Sequence, residues 1–148
     1  MHIFDNPLVM REIIMDHYKR PIFKKTPGNT EDFVKIHMDS PNCIDDITIF
    51  IRIEKEIVNE VYFDGIACAI ATASTDIMCD MIKDKALDDA EVLIENYLNM
   101  LYEKPYDKEI LGEAIVFINT SKQAARIKCA TIGWDGLKKG IMEYNNGR

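Results

Sequence analysis

Between Asp46 and Glu54, isoleucine occupies positions 47, 49, 51 and 53, with Asp46, Thr48, Arg52 and Glu54 placing polar groups between them. Period-two alternation sends successive side chains to opposite faces of a pleated strand, so this run predicts a strand with one face on a core. A short charged connection around Lys55 leads to a second run, Ile57 to Asp64, in which Val61 and Phe63 share a face and Tyr62 takes the other. It reads as the antiparallel hairpin partner, ended by Gly65. Upstream, a loop marked by Pro27, Gly28 and Asn29 precedes Phe33, Val34, Ile36 and Met38, which suggest a further strand.

Elsewhere the spacing is helical. Asn6 and Pro7 supply an N-cap and a first-turn proline, Leu8, Val9, Ile13, Ile14 and Tyr18 an apolar face, and Pro21 a stop. Ile70, Ile77, Met78, Met81 and Ile82 recur at threes and fours from about Cys68 to Lys83, and Leu93, Ile94, Tyr97, Leu98 and Leu101 do so from Asp88 to about Tyr102. The stretch Asp107 to Asn119 reads as helix, although Gly112 interrupts it and Ile115 to Ile118 would also suit a strand. A final helix is expected from about Cys129 to Tyr144, where Gly133, Gly136 and Gly140 each cost about 0.5–1 kcal/mol relative to alanine, so packing must hold it. Strands grouped first and helices afterwards give an α+β fold: a small antiparallel three-stranded sheet covered by helices.

The chain of 148 residues suits one domain over 1–148, and its 47% apolar and 29% charged content argues against disorder or a repeat. A formal charge of −7 has the wrong sign for counterion-driven nucleic-acid binding. No run approaches the roughly 18–20 apolar residues of a membrane helix, and the first residues carry acids among their apolar positions, unlike a secretory signal. The expectation is a cytoplasmic protein that binds neither nucleic acid nor membrane.

In a reducing compartment the four cysteines, Cys43, Cys68, Cys79 and Cys129, are core residues or chemistry, not two disulfides. Cys79, between Met78 and Met81, reads as packing. Cys43 lies in a turn before the isoleucine strand with Asp45 and Asp46 behind it, Cys68 at a helix start, and Cys129 at the expected start of the last helix. Helix N-termini favour thiolates, which are nucleophiles and metal ligands. The hairpin brings Cys43 and Cys68 to one end of the sheet, so three sulfurs and Asp45 could converge as a four-ligand set. Such a set suits tetrahedral zinc or part of an iron–sulfur cluster, but gaps of 25 and 61 residues, with no CxxC, make it a weak signal on spacing alone, against which core packing is the more ordinary reading.

Collinear motifs then narrow the choice. Ala125-Arg126-Ile127-Lys128-Cys129-Ala130-Thr131, with Trp134 and Leu137-Lys138-Lys139-Gly140, closely resembles the last cysteine motif of SufU-type members of the NifU/IscU-like iron–sulfur assembly scaffolds. Asp16-His17-Tyr18-Lys19-Arg20-Pro21 resembles that family's first-helix signature, Pro41-Asn42-Cys43-Ile44-Asp45 its Cys-Gly-Asp turn, and Phe63 to Ser74 its second cysteine motif. Lys128, where IscU proteins carry histidine, and the extended stretch 100–120 resemble the SufU branch.

The resemblance implies metal ligands Cys43, Asp45, Cys68 and Cys129, with zinc as the ion and the three cysteines as sites for a transient iron–sulfur cluster. It implies a pyridoxal-phosphate-dependent cysteine desulfurase of SufS type as partner, persulfide sulfur accepted on Cys43, and apo iron–sulfur proteins as recipients. Three roles follow: cluster scaffold, zinc-dependent sulfurtransferase, or a degenerate homologue whose zinc is purely structural. Two positions depart from the family pattern. Ile44 and Ala67 stand where it has glycine, and a β-branched residue resists positive φ, so the turn carrying Cys43 and Asp45 is expected to be reshaped or less mobile. Arg126 and Lys128 either orient Asp45 and the thiolates or are solvated. His17 is expected to make a structural hydrogen bond, Trp134 to pack in the core, and Asp88-Asp89 to open a helix; His2 and His37 offer nothing distinctive.

Overall fold

The computed structural model describes residues 6–41 and 43–147; His2 and Asn42 lie outside the described residues. The chain runs α1 (Pro7–Lys19), β1 (Val34–Asp39), β2 (Asp46–Glu54), β3 (Ile57–Ile66), α2 (Ala69–Ile82), α3 (Leu87–Leu101), α4 (Lys108–Leu111), a 3₁₀ segment (Gly112–Lys122) and α5 (Ala124–Asn146). The α+β expectation holds: the strands form one antiparallel sheet in the order β1-β2-β3.

Alternation decides which sheet face meets the helices. Ile47, Ile49 and Ile51 of β2, Ile36 of β1, and Val61 and Phe63 of β3 are all buried. β2 is central, with Ile49 opposite both Ile36 and Phe63. Helix α5 lies across this face, and its glycines explain how. A β-carbon on Gly136 would stand 3.0 Å from Ile49 Cγ1 and from Met38 Cγ, and one on Gly140 would collide with Ile51 Cδ1. Gly133 likewise meets Thr75 of α2. The weak helix propensity of these positions is therefore exchanged for close contact between helix and sheet.

Three sequence expectations need correction. Strand β3 does not end at Gly65 but continues to Ile66, because Gly65 takes φ +131° against the Asp46 carbonyl, where any side chain would clash. The stretch after Asp107 is a short α-helix followed by an 11-residue 3₁₀ segment, not a single helix or a strand. Helix α5 begins at Ala124, five residues before Cys129, with Gln123 as a cap that makes no side-chain hydrogen bond.

Candidate metal centre

Asp45 precedes β2 and is only 1% exposed. Its Oδ1 accepts the Cys68 backbone N–H at 2.8 Å, and its Oδ2 lies 3.8 Å from Cys68 Sγ. The hairpin thus does what the spacing implied, placing the turn before β2 beside the residue after β3. That turn is tied to itself. Asp45 N–H points to Cys43 Sγ at 3.4 Å, the Asp45 carbonyl accepts from Ser40 N–H at 3.0 Å, and the Ser40 carbonyl accepts from Cys43 N–H at 3.3 Å. Ile44 does not adopt positive φ, and its side chain is 65% exposed. The turn thus accommodates isoleucine without left-handed backbone at that position.

Cys68 is the N-cap of α2, and its Sγ accepts the Ala71 N–H at 3.4 Å, in line with its expected place at a helix start. Cys129 is not at a helix start: it sits in the second turn of α5 at 9% exposure. Burial, followed by the neighbouring Cys68 thiol and Asp45, pushes the Cys129 thiol pKa up, opposite to the lowering expected at a helix N-terminus. Its location is fixed from behind. Ser74 Oγ and Tyr97 OH both donate to the Ala130 carbonyl, at 2.7 and 2.8 Å, and Trp134 Nε1 donates to Ser74 Oγ at 3.0 Å. Trp134 stacks on Tyr97 with ring centroids 3.9 Å apart, so it is core as expected.

One ligand atom from each of Cys43, Asp45 and Cys129 lies within 4.8 Å of the other two. Cys68 adjoins this group through both oxygens of Asp45. Tetrahedral zinc with sulfur at about 2.3 Å and oxygen at about 2.0–2.2 Å needs ligand atoms roughly 3.5–3.8 Å apart. Thiols and one carboxylate at these separations fit a zinc ion after small side-chain movements. A soft sulfur-rich set also suits iron–sulfur chemistry.

The other residues singled out from the sequence fall outside this group. Cys79 is fully buried, and desolvation pushes its thiol well up. Arg126 and Lys128 are exposed and so follow the solvated reading. Asp88 and Asp89 form the first turn of α3. His37 contacts Asp46 Oδ1 at 2.7 Å on the outer sheet face.

His17 has a larger role than a single hydrogen bond. Its Nδ1 lies 2.6 Å from Asp76 Oδ2 and its Nε2 2.5 Å from Glu113 Oε1, while Asp76 Oδ1 accepts the N–H groups of Ile22 and Phe23. Hydrogen bonds to Asp76 and then Glu113 outweigh desolvation and raise the His17 pKa to about 10, so at neutral pH the imidazolium donates from both nitrogens. Asp76, Glu113 and Ser74 were missed in the sequence. The available signal was an acid and a serine set within an otherwise apolar helical run.

Fold and side chains together give an α+β domain with a candidate metal site at one end of its sheet. A family model described as NifU-like N terminal domain matches residues 9–148, and the chain belongs to that family. It is 36% identical over 138 residues to the zinc-dependent sulfurtransferase SufU of Bacillus subtilis strain 168, covering 93% of this chain and 92% of that one. It is 30% identical over 138 residues to the iron–sulfur cluster assembly scaffold protein IscU of Streptococcus pyogenes serotype M1, covering 92% and 84%. Among solved structures, a Fervidobacterium islandicum AW-1 protein, named as a candidate cluster assembly scaffold for the SUF system, superposes with TM-score 0.80 at 29% identity, over 86% of this chain and 92% of that one. The NifU-like N-terminal structure from Brucella abortus, at 15% identity and TM-score 0.81 over 97% and 100%, shares the fold.

Proposed function

We propose that this chain, acting as one unit over 1–148, binds zinc through Cys43, Asp45, Cys68 and Cys129 and accepts persulfide sulfur on Cys43 from a cysteine desulfurase of SufS type. The observation that carries the reading is the contrast in accessibility within one site: Cys43 is exposed, whereas Asp45 and Cys129, its neighbours within 4.8 Å, are buried. Likeness to a zinc-dependent sulfurtransferase over nearly the whole chain supports it. When bound, zinc keeps the ligating thiols deprotonated and protected from oxidation. The setting is the cytoplasm, where thiols stay reduced; among the described residues no helix is long and apolar enough to cross a membrane.

The protein's own groups account for the transfer. The Cys43 thiolate attacks the terminal sulfur of the donor's persulfide, a new sulfur–sulfur bond forms on Cys43, the donor's bond breaks, and the donor cysteine leaves as a thiolate. No outside oxidant or reductant is needed. The Asp45 N–H, aimed at Cys43 Sγ, stabilises negative charge on the attacking sulfur. Sulfur then passes to apo iron–sulfur proteins, directly or as a cluster held on the three cysteines; likeness to scaffold proteins favours this second role alongside the first.

Replacing Cys43 by alanine is expected to abolish stimulation of a pyridoxal-phosphate-dependent desulfurase, measured as alanine formed from cysteine, while docking persists. Undiminished stimulation overturns the reading and leaves a structural zinc site. Reconstitution with iron and sulfide, followed by transfer to an apo-ferredoxin, tests the scaffold role.

A further inference from the structure

The two edges of the sheet are treated differently. At the β3 edge, Phe63 donates its N–H to the Phe23 carbonyl and accepts from the Lys25 N–H. At the other edge, no backbone group of β1 pairs with any element except β2 among the described residues. The register identifies the groups left over. Ser40 N–H donates to the Asp45 carbonyl, and these residues continue the pairing that sets Asp39 opposite Asp46. Hydrogen-bonded positions alternate along an antiparallel pair, so Val34, Ile36 and Met38 turn their backbone groups to β2, while Lys35, His37 and Asp39 turn theirs away from the sheet. The side chains of these last three residues are exposed on the outer face. The strand has no proline and pairs with β2 in unbroken register, so charge is the only ordinary edge-blunting device it carries.

That charge is self-complementary. Lys35 and Asp39 stand two residues to either side of His37. An antiparallel strand of the same sequence, set with His37 opposite His37, places each Lys35 against the other copy's Asp39 and each Ile36 against the other copy's Met38. It also aligns the outward groups of Lys35, His37 and Asp39 for about six backbone hydrogen bonds. Centring the pair on Lys35 or on Asp39 sets like charges face to face, so of the three outward residues only His37 gives a matched centre. Its ring lies against Asp46 of its own chain, 2.7 Å away, and so is turned toward β2 and off the axis.

Helix α5 leaves space for the second copy. Gly136 faces Ile49 and Met38, and Gly140 faces Ile51 and Ile36, so the helix rides over the seam between β1 and β2. With strands about 4.8 Å apart, two such seams on either side of a β1–β1 pair lie about 10 Å apart, the ordinary spacing of packed helices. We propose that the free edge of β1 is a self-association surface, on which two copies pair β1 to β1 about His37 and join their three-stranded sheets into one. Each β1 leads through Ser40 into the turn bearing Cys43, so the antiparallel arrangement sends the two candidate metal centres to opposite ends of the joint sheet and obstructs neither. The formal charge of −7 on each copy opposes association, so the dimer is a weak one that forms at high protein concentration.

Sedimentation equilibrium of the full-length protein, from micromolar to millimolar concentration, tests this. The wild type is expected to pass from monomer to dimer over that range. Lys35→Glu and Asp39→Lys each set like charges opposite one another at both contacts, and each is expected to weaken the dimer about tenfold while leaving the Tm of the dilute protein unchanged. An equimolar mixture of the two variants restores opposite charges at both contacts of a mixed dimer, and is expected to associate as the wild type does. A wild type that stays monomeric to millimolar concentration overturns the proposal. So does a dimer that neither variant weakens, or one that the mixture fails to restore, because another surface then carries it.

Discussion

Two buried carboxylates, Asp45 at 1% exposure and Asp76 at 0%, sit in opposite chemical surroundings. Asp76 is surrounded by nitrogen donors: two backbone N–H groups on one oxygen and the His17 imidazolium on the other. Asp45 has one backbone N–H, and its other neighbours are sulfurs. A buried carboxylate whose acceptor sites are filled by N–H groups is held as structure; one left facing thiols is arranged to share a cation with them. The same residue type thus serves as a clamp in one region and stands as the proposed ligand in the other.

Substitution separates the two. Asp76→Ala leaves the His17 charge facing only Glu113 and strips two backbone donors, and is expected to cost about 3–5 kcal/mol in denaturant titration. His17→Gln, which keeps some hydrogen bonding but no charge, is expected to cost about 1.5–3 kcal/mol. It also changes the pH response. Because the folded-state pKa of His17, about 10, lies above the ordinary 6.5, its contribution is complete below pH 6.5 and is lost as pH rises through about 10. Wild-type Tm is therefore expected to fall across that window more steeply than the variant's. Asp45→Ala is expected to shift metal-free stability by only about 1 kcal/mol, the value of one hydrogen bond, yet to weaken zinc binding at least tenfold in competition with a chromophoric chelator. If Asp45→Ala unfolds the metal-free protein as severely as Asp76→Ala, the distinction between clamp and ligand fails.

Legibility in the sequence followed the range of the interactions. The isoleucines of β2, the Asn6-Pro7 start of α1 and the cap position of Cys68 are local signals, and each stands where the pattern put it. The hairpin made the approach of Asp45 to Cys68 deducible, since antiparallel strands return the chain to its starting edge. The start of α5 was not legible: Gln123 caps nothing with its side chain, so no residue marks the boundary, and Cys129 was placed one turn too early. The 3₁₀ segment hid for another reason. Ala114 to Phe117 are all buried, which erases any period that would distinguish helix from strand. Cys129 lies 61 residues beyond Cys68 and meets it through the packing of α5 on α2 and the sheet, so that convergence was readable from motif resemblance and not from spacing.

The glycines of α5 have a consequence for what the centre can hold. Because Gly136 and Gly140 seat the helix against β1 and β2 with no spare distance, Cys129 belongs to a wall that cannot retreat. Asp45 and Cys68 brace each other across the hairpin end, which makes a second wall. Cys43 alone is carried on a short turn open to solvent. For the proposed ligand set, any difference in girth between a single ion and a larger inorganic cargo therefore falls to the solvent-open Cys43 side.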